Sequence, residues 1–155
     1  DGVHLGHQAV IRLAREVAPN APLGVMTFEP HPREYFAPDA ASFRLMSAEA
    51  RAARLEKLGV ERLYQLNFNT SLASLSPREF AEKVICQGLG LVHVVVGADF
   101  CFGKGRAGSV ADLQAFGAEM GFGVTVAELL ETGGIQVSST AIREALADGR
   151  PRIAA

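Results

Sequence analysis

Leu23-Gly24-Val25-Met26-Thr27-Phe28, set between Pro22 and Pro30, is a short apolar run with the length and the bounding residues of a buried strand. The pattern returns at Val92 to Val96 before Gly97, at Phe122 to Val126 after Gly121, and more weakly at Arg62 to Leu66. Between these runs lie segments with apolar residues three and four apart: His4 to Val17, Ser47 to Leu58, Pro77 to Gln87, Val110 to Met120 and Thr140 to Ala147. Ser47 and Ser76 stand where an N-cap hydroxyl accepts a bond from a free amide, with Glu49 and Glu79 nearby, while Gly59 and Gly88 close the helices. Alternating helices and near-continuously apolar strands predict a parallel sheet covered on both faces.

This is an open, doubly wound, Rossmann-like α/β domain, and ligands of such domains bind beyond the carboxyl ends of the strands. At 155 residues, 48% hydrophobic and 21% charged, the chain reads as one globular domain over residues 1–155, without repeat, low-complexity segment or linker. No apolar run is long enough to span a bilayer. A net charge of -2 gives no basic footprint for nucleic acid, so anion binding must come from local sites. Cys86 and Cys101 match no metal or redox spacing, and a reducing cytoplasm is the expected compartment.

His4 and His7, two of only four histidines, share the segment Asp1-Gly2-Val3-His4-Leu5-Gly6-His7. A helix starting near His4 puts both imidazoles on its first turn, where free amides and the positive dipole end favour anions. Gly6 would allow a phosphate close to the backbone, and Gly2 a tight turn. Three readings stay open here: a phosphate grip, a structural pair capping the helix, or half of a metal site, although zinc needs more ligands than can be assembled.

Three further stretches follow strands. Pro30, His31 and Pro32 stiffen a loop after Phe28, beside Tyr35 and Phe36. Gly103-Lys104-Gly105-Arg106-Ala107-Gly108 combines close-approach backbone with two cations, without the ending of a P-loop, and Phe100 and Phe102 before it suit either ring stacking or the core. Ser138-Ser139-Thr140 leads into a helix with Arg143 one turn on, which is either a second anion site or a plain cap with a surface arginine.

Taken together these segments resemble a known family. Asp1 to Gln8 is similar to the second half of the FDGxHxGH motif of bacterial FAD synthetases, the FMN adenylyltransferase members of the HxGH nucleotidyltransferases. Thr27 to Pro32 resembles that family's TFEPHP segment, Val96 to Gly108 its VGxDFxFGxxRxG loop, and Ser138 to Arg143 its SSTxIR segment, in the same order along essentially the whole chain. The resemblance implies transfer of the adenylyl group of ATP to FMN, giving FAD and pyrophosphate, with Mg²⁺ accompanying ATP. It implies catalytic roles for His4, His7 and Arg143, and an ATP site of Asp1, Gly2, His4, Gly6, His7, Ser139, Thr140 and Arg143. The implied flavin site comprises Phe28, Pro30, His31, Pro32, Asp99, Phe100, Phe102 and Arg106, and no resident metal ligands are expected. It further implies that a first strand belongs ahead of Asp1. In bifunctional homologues a riboflavin kinase domain follows a segment of this kind; none appears within these residues, and a linked one is expected only in a full-length protein. Another HxGH nucleotidyltransferase with a different acceptor, or a non-catalytic flavin- or nucleotide-binding module, are the alternatives.

Overall fold

A computed structural model describes residues 1–40 and 44–154, so Ala155, the end of the expected domain, lies outside the described residues. Helix α1 spans Leu5–Val17 and β1 Gly24–Glu29, followed by α2 (Pro32–Phe36), α3 (Ala48–Lys57), β2 (Arg62–Asn67), α4 (Thr70–Ala73) and α5 (Pro77–Phe80). Beyond α5 the helix continues π-wound over Ala81–Gly88. Then come β3 (His93–Gly97), a 3₁₀ turn (Lys104–Arg106), α6 (Val110–Met120), β4 (Gly123–Ala127), a hairpin of β5 (Glu131–Thr132) and β6 (Ile135–Gln136), α7 (Ser139–Ala147) and α8 (Pro151–Ala154).

The expected strands and helices form, and the strand pairs are parallel: Gly24 to Glu29 of β1 faces Arg62 to Asn67 of β2, and His93 to Gly97 of β3 faces Gly123 to Ala127 of β4. Among the described residues no ladder joins β1 to β3, so the expected single sheet is divided into two parallel pairs. Side chains alternate across β1 as the pleat requires. Val25 packs with Ile11, Leu23 and Leu55 beneath α1 and α3, whereas Met26 and Phe28 join Phe80, Ile85, Val96, Leu113 and Phe122 beneath the Pro77–Gly88 helix and α6. Helices therefore cover both faces, as the doubly wound reading requires.

Two local expectations need correction. Pro30 to Pro32 is not simply a stiff loop, because it opens α2. His31 Nδ1 accepts from the Arg33 amide at 3.1 Å, Pro32 occupies the first turn where its missing N–H costs nothing, and Glu34 returns a bond to the His31 amide at 3.3 Å. Past Phe80 the expected α-helix widens to π, and Leu89 donates its amide five residues back to the Val84 carbonyl. The serine caps hold as expected: Ser47 accepts from the Ala50 amide at 3.1 Å, and Ser76 forms a capping box with Glu79.

Helix α6 lies close on β4 because Gly117 carries no side chain; a Cβ there would stand 2.5 Å from the Phe122 carbonyl oxygen. In an exposed helix, Gly→Ala stabilises by about 1 kcal/mol. Gly117→Ala is instead expected to destabilise the protein by about 1–3 kcal/mol through overpacking, measured as a lower urea midpoint.

Candidate active site

His4 occupies the N-cap position of α1 and His7 its first turn, and their rings stack with centroids 3.8 Å apart and planes inclined by 20°. The His4 side chain makes no cap hydrogen bond, and its Nδ1 is buried without a partner. This disfavours a structural capping pair. Among the described residues no three His, Cys, Asp or Glu side chains converge as a group that could hold a metal ion. Gly6 has a packing reason of its own, since a Cβ would lie 3.0 Å from the His4 ring and 3.4 Å from the Val137 carbonyl.

The end of the described chain closes over its beginning. Ser139 Oγ donates to the Asp1 carbonyl at 2.6 Å, and Arg143 Nη2 donates to Asp1 Oδ2 at 2.9 Å. That same Oδ2 accepts from the Leu45 amide at 2.8 Å. Ser138 is the actual cap of α7, accepting from the Ala141 amide at 3.2 Å, which leaves Ser139 free for Asp1. The ends of α1 and α7 where free amides face outward thus meet at one place, with Asp1 between them. Thr140 is exposed beside this contact.

Electrostatics favour neutral imidazoles here. Burial, followed by the neighbouring His4 ring, pushes His7 down to about 3, and burial also lowers His4. His31 falls to about 4, chiefly through burial, and the charge of Arg143 contributes, which puts the loop after β1 within electrostatic reach of the α7 arginine. Burial and then the Arg33 guanidinium lower the pKa of Arg143. A polyphosphate bound here would meet N–H donors more than fixed cationic histidines, and its charge would draw protons onto them.

The remaining expected residues form a second group. Asp99 is exposed just after β3, and Phe100 stacks on Phe102 with centroids 5.6 Å apart. Phe102 is only 5% exposed and packs against Phe80 and Phe116, so it anchors the loop and does not line an open surface. Arg106 is exposed in a left-handed backbone conformation (φ 56°), and the turn it ends is pinned by the Lys104 amide on the Leu75 carbonyl at 2.7 Å. Phe28 meets Phe68 edge-on at 5.5 Å, and Phe68 also touches Tyr35 and Phe36. No hydrogen bond or ring contact described above ties this second group to Asp1, His4 and His7.

Sequence reasoning misses Phe68 and the ion network around Glu29, Glu34, Arg44 and Arg51. Proline one residue after His31 and glutamate three residues after it are helix-start signals that would have pointed to α2. The distant arginines carry no comparable local signal. A cleft of about 430 Å³ at the carboxyl end of β2, lined by Leu66, Asn67, Asn69, Leu72, Lys83 and Val84 among others, contains none of the expected site residues.

Parallel strand pairs with helices on both faces, and a stacked histidine pair at the start of the first helix, define a Rossmann-like α/β domain. Known proteins carry this to a family. The FAD synthetase family profile matches residues 1–141. The bifunctional riboflavin kinase/FMN adenylyltransferase of Pseudomonas fluorescens is 46% identical over 149 residues, covering 95% of this chain and 48% of that protein. Its counterpart in Escherichia coli K12 is 39% identical over 150 residues, covering 96% of this chain and 48% of that protein. A crystal structure described as a macrolide-efflux protein from Streptococcus pneumoniae superposes with a TM-score of 0.85 at 30% identity, over 99% of this chain and 52% of that one. A pantoate-β-alanine ligase from Francisella tularensis shares the fold alone, with a TM-score of 0.58 at 15% identity over 94% of this chain and 68% of that one. The chain belongs to the FAD synthetase family, and it spans about half the length of the curated relatives it matches.

The depressed histidines set a pH dependence of stability. The folded values of about 3 for His7 and about 4 for His31 lie below the 6.5 of a free histidine, so the unfolded chain takes up protons first. Stability is full above that free value and falls as pH drops through it toward the folded values. The urea midpoint is expected to be lower at about pH 5.5 than at about pH 7.5, a window largely above the titration of the carboxylates, and His7→Gln should flatten the slope. An unchanged slope in that variant would show that His7 titrates normally.

Proposed function

We propose that this domain transfers the adenylyl group of ATP to the phosphate of FMN, forming FAD and releasing pyrophosphate. The observation that supports the reading is the closure of α7 onto the lead-in to α1, where Ser139 and Arg143 bond to Asp1 just ahead of the stacked His4–His7 pair. In nucleotidyl transfer an FMN phosphate oxygen attacks the α-phosphorus while pyrophosphate leaves, and a protein accelerates this by alignment and by stabilising developing charge. Imidazole N–H groups, the amides of α1 and the Arg143 guanidinium supply that stabilisation. Asp1 and Gly2 shape the turn, and Gly6 lets the His4 ring lie against the helix.

Acceptor recognition falls to Phe28, Pro30, His31 and Pro32 on one side and to Asp99, Phe100 and Arg106 on the other. Phe102 contributes by holding Phe100. Mg²⁺ accompanying ATP would neutralise charge on the triphosphate oxygens.

The divided sheet bears on the architecture of the whole protein. β1 and β3 share the Phe28–Val96 core yet are not paired, and Asp1 lies at the carboxyl edge near Arg51, the partner of Glu29. A strand running into Asp1, parallel to β1, would satisfy both free edges. With relatives about twice as long and named as bifunctional, a linked riboflavin kinase domain also belongs to this reading. Its setting is the cytoplasm, in keeping with two unpaired cysteines. No described helix is long and apolar enough to cross a membrane.

The protein carrying that strand, incubated with FMN, ATP and Mg²⁺, is expected to yield FAD by chromatography. His7→Ala and Arg143→Ala should each lower kcat/KM by about 100-fold or more, the usual cost of removing a charge-stabilising donor. Pyrophosphate release with another phosphorylated acceptor but not FMN would point to a different nucleotidyltransferase. Flavin binding without any transfer would leave a binding module.

A further inference from the structure

Glu29 ends β1 immediately before the loop that carries His31, and it takes two arginines, Arg44 Nη2 on Oε1 and Arg51 Nη2 on Oε2 at 3.1 Å. Arg44 also forks onto Glu34, with Nε on Oε1 at 2.7 Å and Nη2 on Oε2 at 2.6 Å. Glu34 is the residue whose carboxylate accepts from the His31 amide. One guanidinium thus fastens both the strand end and the helix cap between which Pro30 and His31 lie. Such bidentate, charge-assisted pairs fix orientation as well as separation. Arg44 is about three-quarters shielded from solvent and Arg51 almost entirely buried, so the network sits inside the domain and is not a surface ion pair.

The next residue reaches the other half of the site. The Leu45 amide donates to Asp1 Oδ2, the oxygen that also takes Arg143. Leu45 packs on Gly2 as well, where any added Cβ would lie 2.9 Å from Leu45 Cδ1. Residues 44 and 45 are therefore a two-residue tie, one side chain holding the His31 loop and one amide holding the Asp1–Arg143 pair.

We infer that Arg44 is a positioning residue that locks the His31 loop in register with the Asp1–Arg143 pair, so that acceptor and nucleotide are presented to each other at a fixed separation. This rests on the adenylyl-transfer reading for its consequences in turnover, but not for its structural content. Release of Arg44 leaves the nucleotide contacts of α1 and α7 in place and frees the acceptor side. The effect belongs on FMN, not ATP.

Two measurements test it on the protein carrying the strand ahead of Asp1. In steady-state kinetics, Arg44→Ala is expected to raise KM for FMN about tenfold and lower kcat while KM for ATP stays within about twofold, because misplacement of one reactant is costly. A loss of kcat with both KM values unchanged is what simple destabilisation gives, and it would overturn the inference, as would an equal rise in both. Independently of turnover, the His31 imidazole is followed by NMR titration. Around it stand Glu34, Arg33, Arg44 and Arg143, and removing Arg44 withdraws a positive charge and loosens the burial of the ring. Its pKa should rise toward the ordinary value. An unmoved His31 would overturn the tie even if FAD were never formed, whereas a shifted His31 without FAD formation would keep the tie and discard the function. Where Arg44→Ala does not fold, Arg44→Gln withdraws the same charge and the fork onto Glu34 while keeping most of the side chain's bulk, and the same outcomes decide.

Discussion

The Asp1 carboxylate is only 4% exposed, and a buried carboxylate persists only if its charge is answered. Arg143 and the Leu45 amide answer it at one oxygen, while the backbone carbonyl of the same residue receives the Ser139 hydroxyl. Those partners come from three separate parts of the chain, the start of α7 and the stretch before α3 being drawn onto the lead-in to α1. The position of the histidine pair, the orientation of α7 and the course of residues 44 and 45 all follow from satisfying this one group. Its other oxygen, Oδ1, is buried without a hydrogen-bond partner among the described residues, so losing Arg143 would strand the charge without its counter-ion, which is the costly case for buried ions.

Around that anchor the site keeps its histidines uncharged and its arginines spoken for. Stacked rings 3.8 Å apart tolerate two neutral imidazoles far better than two cations, so burial and mutual repulsion act in one direction. The pair thereby avoids the self-repulsion that two adjacent cations would bring. Near His31 the arrangement differs: its Nδ1 is committed to the Arg33 amide, which fixes the neutral tautomer with the proton on Nε2.

Much of this was legible in the sequence for a simple reason. Apolar runs mark strands and three-four spacing marks helices, because both report which side chains meet the core. The apolar run places three of the four parallel strands one residue early, Leu23 to Phe28 against Gly24–Glu29 for example, and stops β2 one residue short, since strand pairing continues at the carboxyl edge past the apolar run. The histidine pair and the Ser139–Arg143 segment were visible as local motifs. Arg44 and Arg51 were not, for their partners lie 10 to 22 residues away and an arginine in sequence looks the same whether it forks onto two carboxylates or waves in solvent. Phe102 shows the converse: a ring in a glycine-rich loop reads equally as platform or anchor, and only its burial distinguishes them.

The contacts between Asp1 and α7 span 138 and 142 positions of the chain. Ordering so long a loop costs entropy before any bond rewards it, so these contacts belong among the late events of folding. During synthesis the parallel strands and the helices preceding α7 can assemble before the Asp1–α7 contacts exist. The contacts on Asp1 therefore arrive only with α7, and a molecule cut short before Ser139 would retain most of its core but could not close that helix onto Asp1.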